Sequence, residues 1–272
     1  MSDYQLDAVR GNVQAGDARL SYLDWGGDGP PALLLHGITS SAATLWQVAP
    51  ALRADGYRPI ALDMPGHGES ELRPTYHIDE TAALVGAAAN SLDLHDALLL
   101  GHSWGGATAL ALMGGDHAAR TRFSRVVLVD PALGMTASAG AERLSFYLEG
   151  VGEPASLTAP KLRAANPEWA DADVHWKAIA LEQCRAEQVR SLFLPSEDWI
   201  LIERLGAVEA PLLLLAADPQ HSVISPELLE AARAALRPGL GHLTVVPGAP
   251  HNMFRGPWFT PTMAALREWL AS

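Results

Sequence analysis

The chain has 272 residues, 49% hydrophobic and 18% charged, a globular composition long enough for one large domain or a domain carrying an insertion. With 19 Lys and Arg against 31 Asp and Glu, its formal charge is −12, a balance that repels nucleic-acid phosphates. Cys184 is the only cysteine, which excludes an internal disulfide and a cysteine-rich zinc site.

The first thirty residues contain no apolar signal-peptide core, and apolar runs such as 212–217 are far too short to span a bilayer. A cytoplasmic protein with no membrane partner is therefore expected, as a monomer or homodimer. Residues 13–15 and 19–25 read as two early strands forming an antiparallel start. Next come ALLLHG (32–37), a helical stretch over 42–54, RPIALD (58–63), a helix over 78–93, DALLLGH (96–102) and a helix over 104–116. RVVLVD (125–130) is followed much later by PLLLLAAD (211–218), a helix over 226–237, HLTVVPG (242–248) and a helix over 260–271. Nearly continuous apolar strands alternating with helices predict an α/β sheet covered on both faces.

The alternation breaks once. Over 131–210 no strand is expected, while Pro154, Pro160, Pro167 and Pro195 punctuate helical stretches such as 139–148 and 171–193. A helical insertion is the economical reading. It is not a disordered linker, because Phe146, Tyr147, Trp169, Trp176 and Trp199 would then lack burial. The expected organisation is a core of 1–130 and 211–272 with a helical cap over 131–210. Phe146, Trp176 and Trp199 are candidates for an apolar substrate pocket within that cap. Cys184 reads as a packing residue.

The strongest chemical signal is Gly101-His102-Ser103-Trp104-Gly105-Gly106, directly after an apolar strand and before a helix. A serine on such a turn projects its hydroxyl from the sheet edge, and glycines give the tight turn room. The following helix N-terminus favours developing negative charge, and the Trp104 N–H can point at an oxyanion.

With this elbow, His36-Gly37 and the run Asp63-Met64-Pro65-Gly66-His67-Gly68-Glu69-Ser70, essentially the whole chain resembles the α/β-hydrolase family. The resemblance implies an eight-stranded, mostly parallel sheet, a lid after the sixth strand, a Ser–His–acid triad and an oxyanion hole. By position, the Ile38 backbone N–H would be the second oxyanion donor. Ser103 stands where epoxide hydrolases and haloalkane dehalogenases carry Asp, which disfavours their chemistry. His36-Gly37-Ile38-Thr39-Ser40 departs from the HGGPG of proline iminopeptidases.

Active groups in such sheets lie beyond the carboxyl ends of the strands. His251, just after the last strand, is at that end and matches the family's histidine turn. His242 begins the same strand, His102 packs beneath the elbow, and His36 and His67 sit in scaffold turns, leaving His221 as the rival. Asp218 ends the seventh strand, where the family most often places its acid. Asp130 ends the sixth, the position some relatives use, and is the alternative. Asp63 reads as structural.

These residues predict hydrolysis of a small to medium, largely apolar ester or lactone, with Ser103, His251 and Asp218 as the triad. Amide or peptide hydrolysis and carbon–carbon hydrolysis remain open on the same triad, as does a non-catalytic small-ligand receptor. No sequence motif calls for a metal or nucleotide cofactor.

Overall fold

A computed structural model describes residues 4–194 and 197–272, so Pro195 lies outside the described residues. The eight-stranded sheet comprises β1 (Val9–Ala15), β2 (Ala18–Asp24), β3 (Pro31–Leu35), β4 (Arg58–Leu62), β5 (Ala97–His102), β6 (Phe123–Val129), β7 (Leu212–Ala216) and β8 (Gly241–Val245). Its order is β1-β2-β4-β3-β5-β6-β7-β8. Strand β2 pairs antiparallel with both β1 and β4, and the remaining pairings are parallel.

Side chains alternate across this sheet and build a core on each face. Leu33, Leu35, Leu99, Val126, Leu128 and Leu214 point to one side. There they meet α2 (Ile78–Ser91), α3 (Trp104–Gly114) and α8 (Pro226–Ala235) through Val85, Leu110 and Leu229. Leu34, Leu98, Leu100, Val127, Val129 and Leu213 point to the other, against Leu52 of α1 (Val48–Ala54) and Leu266 of α9 (Phe259–Leu270). The continuous apolar strands thus follow from burial on both faces.

Between β6 and β7 lie α4 (Ala137–Leu148), α5 (Ala155–Ala165), α6 (Asp171–Gln183) and α7 (Ala186–Phe193). The continuous helix expected over 171–193 is interrupted at Cys184 and Arg185, whose backbones are extended. Helix α5 forms despite Pro160 within it. The expectation of no strand fails in a small way, since Gly134–Met135 pairs antiparallel with Trp199–Ile200.

This helical segment rests on the loops that follow β3 and β4. Trp46 Nε1 donates to Asp173 Oδ1 at 2.9 Å, and Lys177 Nζ donates to the Thr39 carbonyl at 2.6 Å. Cys184 is buried there, and burial pushes its thiol up to about 11, the state of a packing residue. No helix among the described residues is long and apolar enough to cross a membrane.

Candidate active site

Ser103 joins β5 to α3 with φ 56° and ψ −119°, a conformation that L-residues rarely adopt. Its N–H donates to the Val129 carbonyl at 3.0 Å, and its carbonyl accepts from Ala107 N at 2.9 Å and Ala132 N at 3.2 Å. Neighbouring backbone comes so close that only glycine fits at two positions. A Cβ on Gly101 would lie 2.3 Å from the Gly105 carbonyl oxygen, and one on Gly105 would lie 2.5 Å from that of Leu35. Gly105→Ala must therefore push α3 away from β3, and about 1–3 kcal/mol of stability should be lost. Denaturant unfolding monitored by circular dichroism checks this; unchanged stability would show that the elbow has room for a methyl group.

The carboxyl ends of β5, β6 and β8 bring three side chains together. Ser103 Oγ lies 3.0 Å from His251 Nε2, and His251 Nδ1 lies 2.7 Å from Asp130 Oδ2. With its proton held on Nδ1 by Asp130, the ring presents Nε2 as the acceptor for the Ser103 hydroxyl. Asp130 is fully buried and accepts three further hydrogen bonds, from Ala217 N at 3.0 Å, Ser222 Oγ at 2.5 Å and Val223 N at 3.1 Å. Burial pushes its pKa up, but the His251 hydrogen bond and charge, with Ser222 and Ala217 N, outweigh that and hold it below the usual carboxylate range. His102 Nε2–H donates to the His251 carbonyl at 2.8 Å, fixing the loop that carries the ring.

Asp218, the first choice for the acid, is not brought to His251. Its N–H donates to the Ala249 carbonyl, turning the chain, and its carboxylate accepts from Gly248 N at 2.8 Å and Gln220 N at 3.1 Å. Those two backbone hydrogen bonds lower its pKa. It braces the turn before His251, while Asp130, the alternative, occupies the position beside the ring. The physical reason lies in the loop after β7: residues 217–223 fold their N–H groups over Asp130 and carry Asp218 outward.

The other histidines stay in the scaffold. His221 is exposed and its N–H caps the Asp218 turn. His36 Nε2 accepts from Met64 N at 3.0 Å, and burial pushes its pKa down to about 4. His67 is buried, which pushes its pKa down to about 3, and its Nε2 accepts from Thr39 N at 3.3 Å. Asp63 accepts from Ala42 N at 2.7 Å and Arg10 Nη1 at 2.8 Å, a structural arrangement.

Two cavities meet at Ser103. The smaller, about 60 Å³, is bordered by Ile38, Trp104, Leu133, Tyr147, Phe193 and Trp199. The larger, about 540 Å³, also reaches His251 and is bordered by Ile38, Phe146, Tyr147, Trp169, Lys177 and Arg255. The backbone N–H groups of Ile38 and Trp104 have no acceptor among the described residues. Trp104 is the first residue of α3, where a free N–H is the rule.

Of the three aromatic residues expected in a pocket, Phe146 borders the larger cavity and Trp199 the smaller, whereas Trp176 borders neither and packs, partly buried, against the core on the face of the sheet that carries Leu34 and Leu213. Truncating Trp199 or Phe146 to Ala should change relative rates along an acyl-chain series. Trp176→Ala should lower stability and leave that profile flat; steady-state rates for each variant decide, and a shifted profile for Trp176→Ala alone would contradict the assignment. Lys177 and Arg255 were not anticipated. Each is an isolated cation among apolar neighbours, in HWKAIAL and HNMFRG, and only its placement beside the cavity sets it apart.

Comparison with known proteins agrees with this architecture. The family model described as the alpha/beta hydrolase family matches residues 32–262. N-formylmaleamate deformylase of Pseudomonas putida is 31% identical over 254 residues, covering 91% of this chain and 90% of that protein. Among solved structures, N-formylmaleamic acid deformylase from Pseudomonas putida aligns with a TM-score of 0.76 at 25% identity, over 95% of this chain and 100% of that one. E-2-(acetamidomethylene)succinate hydrolase shares the fold, with a TM-score of 0.83 at 22% identity over 97% of this chain and 100% of that one. The chain belongs to the alpha/beta hydrolase family.

Proposed function

We propose that this protein is a serine hydrolase that cleaves a small carboxylic ester or lactone through an acyl-enzyme, with Ser103, His251 and Asp130 as its triad. The observation that carries this reading is the continuous chain of hydrogen bonds from Ser103 Oγ through the His251 ring to a buried Asp130, opening onto a cavity. Ser103 Oγ attacks the acyl carbon while its proton passes to His251 Nε2. The carbonyl oxygen, now an oxyanion, takes the N–H groups of Ile38 and Trp104, which have no acceptor among the described residues. Asp130 stabilises the imidazolium, and His251 then gives the proton to the departing alkoxide. Water, deprotonated by the same ring, attacks the acyl-enzyme; the tetrahedral intermediate collapses, and the proton returns to Ser103 as the acid leaves. Residues 131–210 act as a lid, since their aromatic side chains border both cavities.

Amide hydrolysis is a second reading, favoured by the relative named as a deformylase, which aligns over nine-tenths of both chains. The same steps apply with a protonated amine as leaving group. A panel of short-chain esters and lactones, followed by proton release, and of formamides, followed by formate release, tests the proposal. At least one class should turn over, and His251→Ala should remove that turnover. Failure to turn over any class would refute the hydrolase reading.

A further inference from the structure

We infer that the substrate carries a carboxylate that Arg255 and Lys177 hold in the larger cavity. The inference rests on the hydrolase reading for the word substrate, but its evidence is separate from the triad. Arg255 is only 7% exposed, its Nη1 has no hydrogen-bond partner, and its guanidinium forms no ion pair among the described residues. It stacks on the Trp169 ring at 4.3 Å. The carboxylate that acts on it through space is Asp173, yet both of that residue's oxygens are already occupied. Asp173 Oδ1 accepts from Trp46 Nε1 and Gln47 Nε2, and Oδ2 accepts from the N–H groups of Ala170 and Gly256.

Lys177 adds a second cation on the same cavity. Its Nζ donates to the Thr39 carbonyl at 2.6 Å and to Thr39 Oγ1 at 2.7 Å, and it forms no ion pair among the described residues. Thr39 itself sits at φ 55°, one of five non-glycine residues with positive φ among those described. Burial and the Arg255 charge push the Lys177 pKa down to about 7. Two cations crowded together out of water oppose each other and the fold, a cost that an arriving anion offsets. Other charges on the wall do not serve: Lys161 is paired with Glu153 at 2.9 Å, and Glu149 has the wrong sign. A void of about 20 Å³ also touches Arg255, with room for a water that would meet one N–H but supply no opposite charge. A planar guanidinium facing a cavity that also holds Ser103 suits a carboxylate bound through two oxygens. The pocket therefore departs from the largely apolar substrate expected from sequence.

Succinate is the probe, with succinamide as its uncharged analogue. Both are titrated calorimetrically into the Ser103→Ala protein, so that binding is read apart from turnover. Succinate should bind at least about tenfold more tightly than succinamide, the worth of one charge-assisted hydrogen bond. Arg255→Gln and Lys177→Met, each in the Ser103→Ala background, should each weaken succinate by about tenfold or more, and Arg255→Lys should restore part of it. With Ser103 present, the kcat/KM ratio of monomethyl succinate to methyl butyrate should fall in Arg255→Gln by a similar factor. Equal affinity for succinate and succinamide, or succinate affinity unchanged in both Arg255→Gln and Lys177→Met, would overturn the inference. If succinate binds as described while no ester, lactone or amide turns over, the hydrolase reading fails and the carboxylate site stands. If esters turn over without any preference for the anion, the site fails and the hydrolase reading stands.

Discussion

Asp130→Asn is expected to lower kcat by about 10⁴-fold, whereas Asp218→Asn should cost less than about tenfold. In the proposed mechanism the carboxylate of Asp130 does two things: it keeps the His251 proton on Nδ1, and it stabilises the imidazolium formed as Ser103 loses its proton. An amide in its place offers one acceptor oxygen to a site that presents four donors: His251 Nδ1, Ser222 Oγ, Ala217 N and Val223 N. Its NH₂ group must then face a donor or force His251 into the wrong tautomer. Stability should fall as well, by about 1–3 kcal/mol, for the hydrogen bonds left unmade. At Asp218 the carboxylate only accepts from two backbone N–H groups of the turn before His251, and Asn can still accept from one. Steady-state kcat for both variants, with circular dichroism to confirm folding, decides the matter. Near-equal losses would show that the turn and the ring are coupled more tightly than the hydrogen bonds imply.

The larger effect is expected at Ser103, the proposed nucleophile. Ser103→Ala removes the attacking oxygen and leaves the fold intact, because Oγ makes its one hydrogen bond to His251 Nε2 and carries none of the backbone bonds that hold the elbow. A loss of roughly 10⁶-fold in kcat follows, with residual rate from the oxyanion donors and binding alone. Ser103→Gly should be as inactive as Ser103→Ala but more stable, since glycine adopts φ 56° and ψ −119° without the strain that alanine, like serine, carries there. The stability gap should be about 1–3 kcal/mol. An alanine variant that unfolds, or that retains appreciable turnover, would mean that Ser103 serves the backbone and not the chemistry.

The parallel sheet was legible because strands buried on both faces must be apolar along their whole length, and LLLL in 212–215 and LLL in 98–100 have no other common use in a domain of this composition. The elbow was legible for a related reason: glycines at 101 and 105 are forced by backbone approaches under 3 Å. The acid was not. Asp130 and Asp218 both end strands, and what separates them is how residues 217–223 fold across the sheet edge, a tertiary outcome that no local pattern encodes. Helix boundaries in 131–210 were blurred likewise, since Cys184 and Arg185 interrupt a stretch whose apolar spacing runs on through them. Arg255 and Lys177 were invisible for the opposite reason: an isolated cation is usually a surface residue, and only its burial beside a cavity without an ion pair among the described residues makes it notable.

Covalent labelling tests whether Ser103 is an activated nucleophile. A fluorophosphonate probe incubated with the native protein should add the mass of one adduct, and peptide mapping should place it on Ser103. Asp130→Asn should slow that labelling sharply, because the probe reacts only with a serine whose proton His251 can accept. An adduct on another residue, or no adduct on a folded protein, would contradict the account.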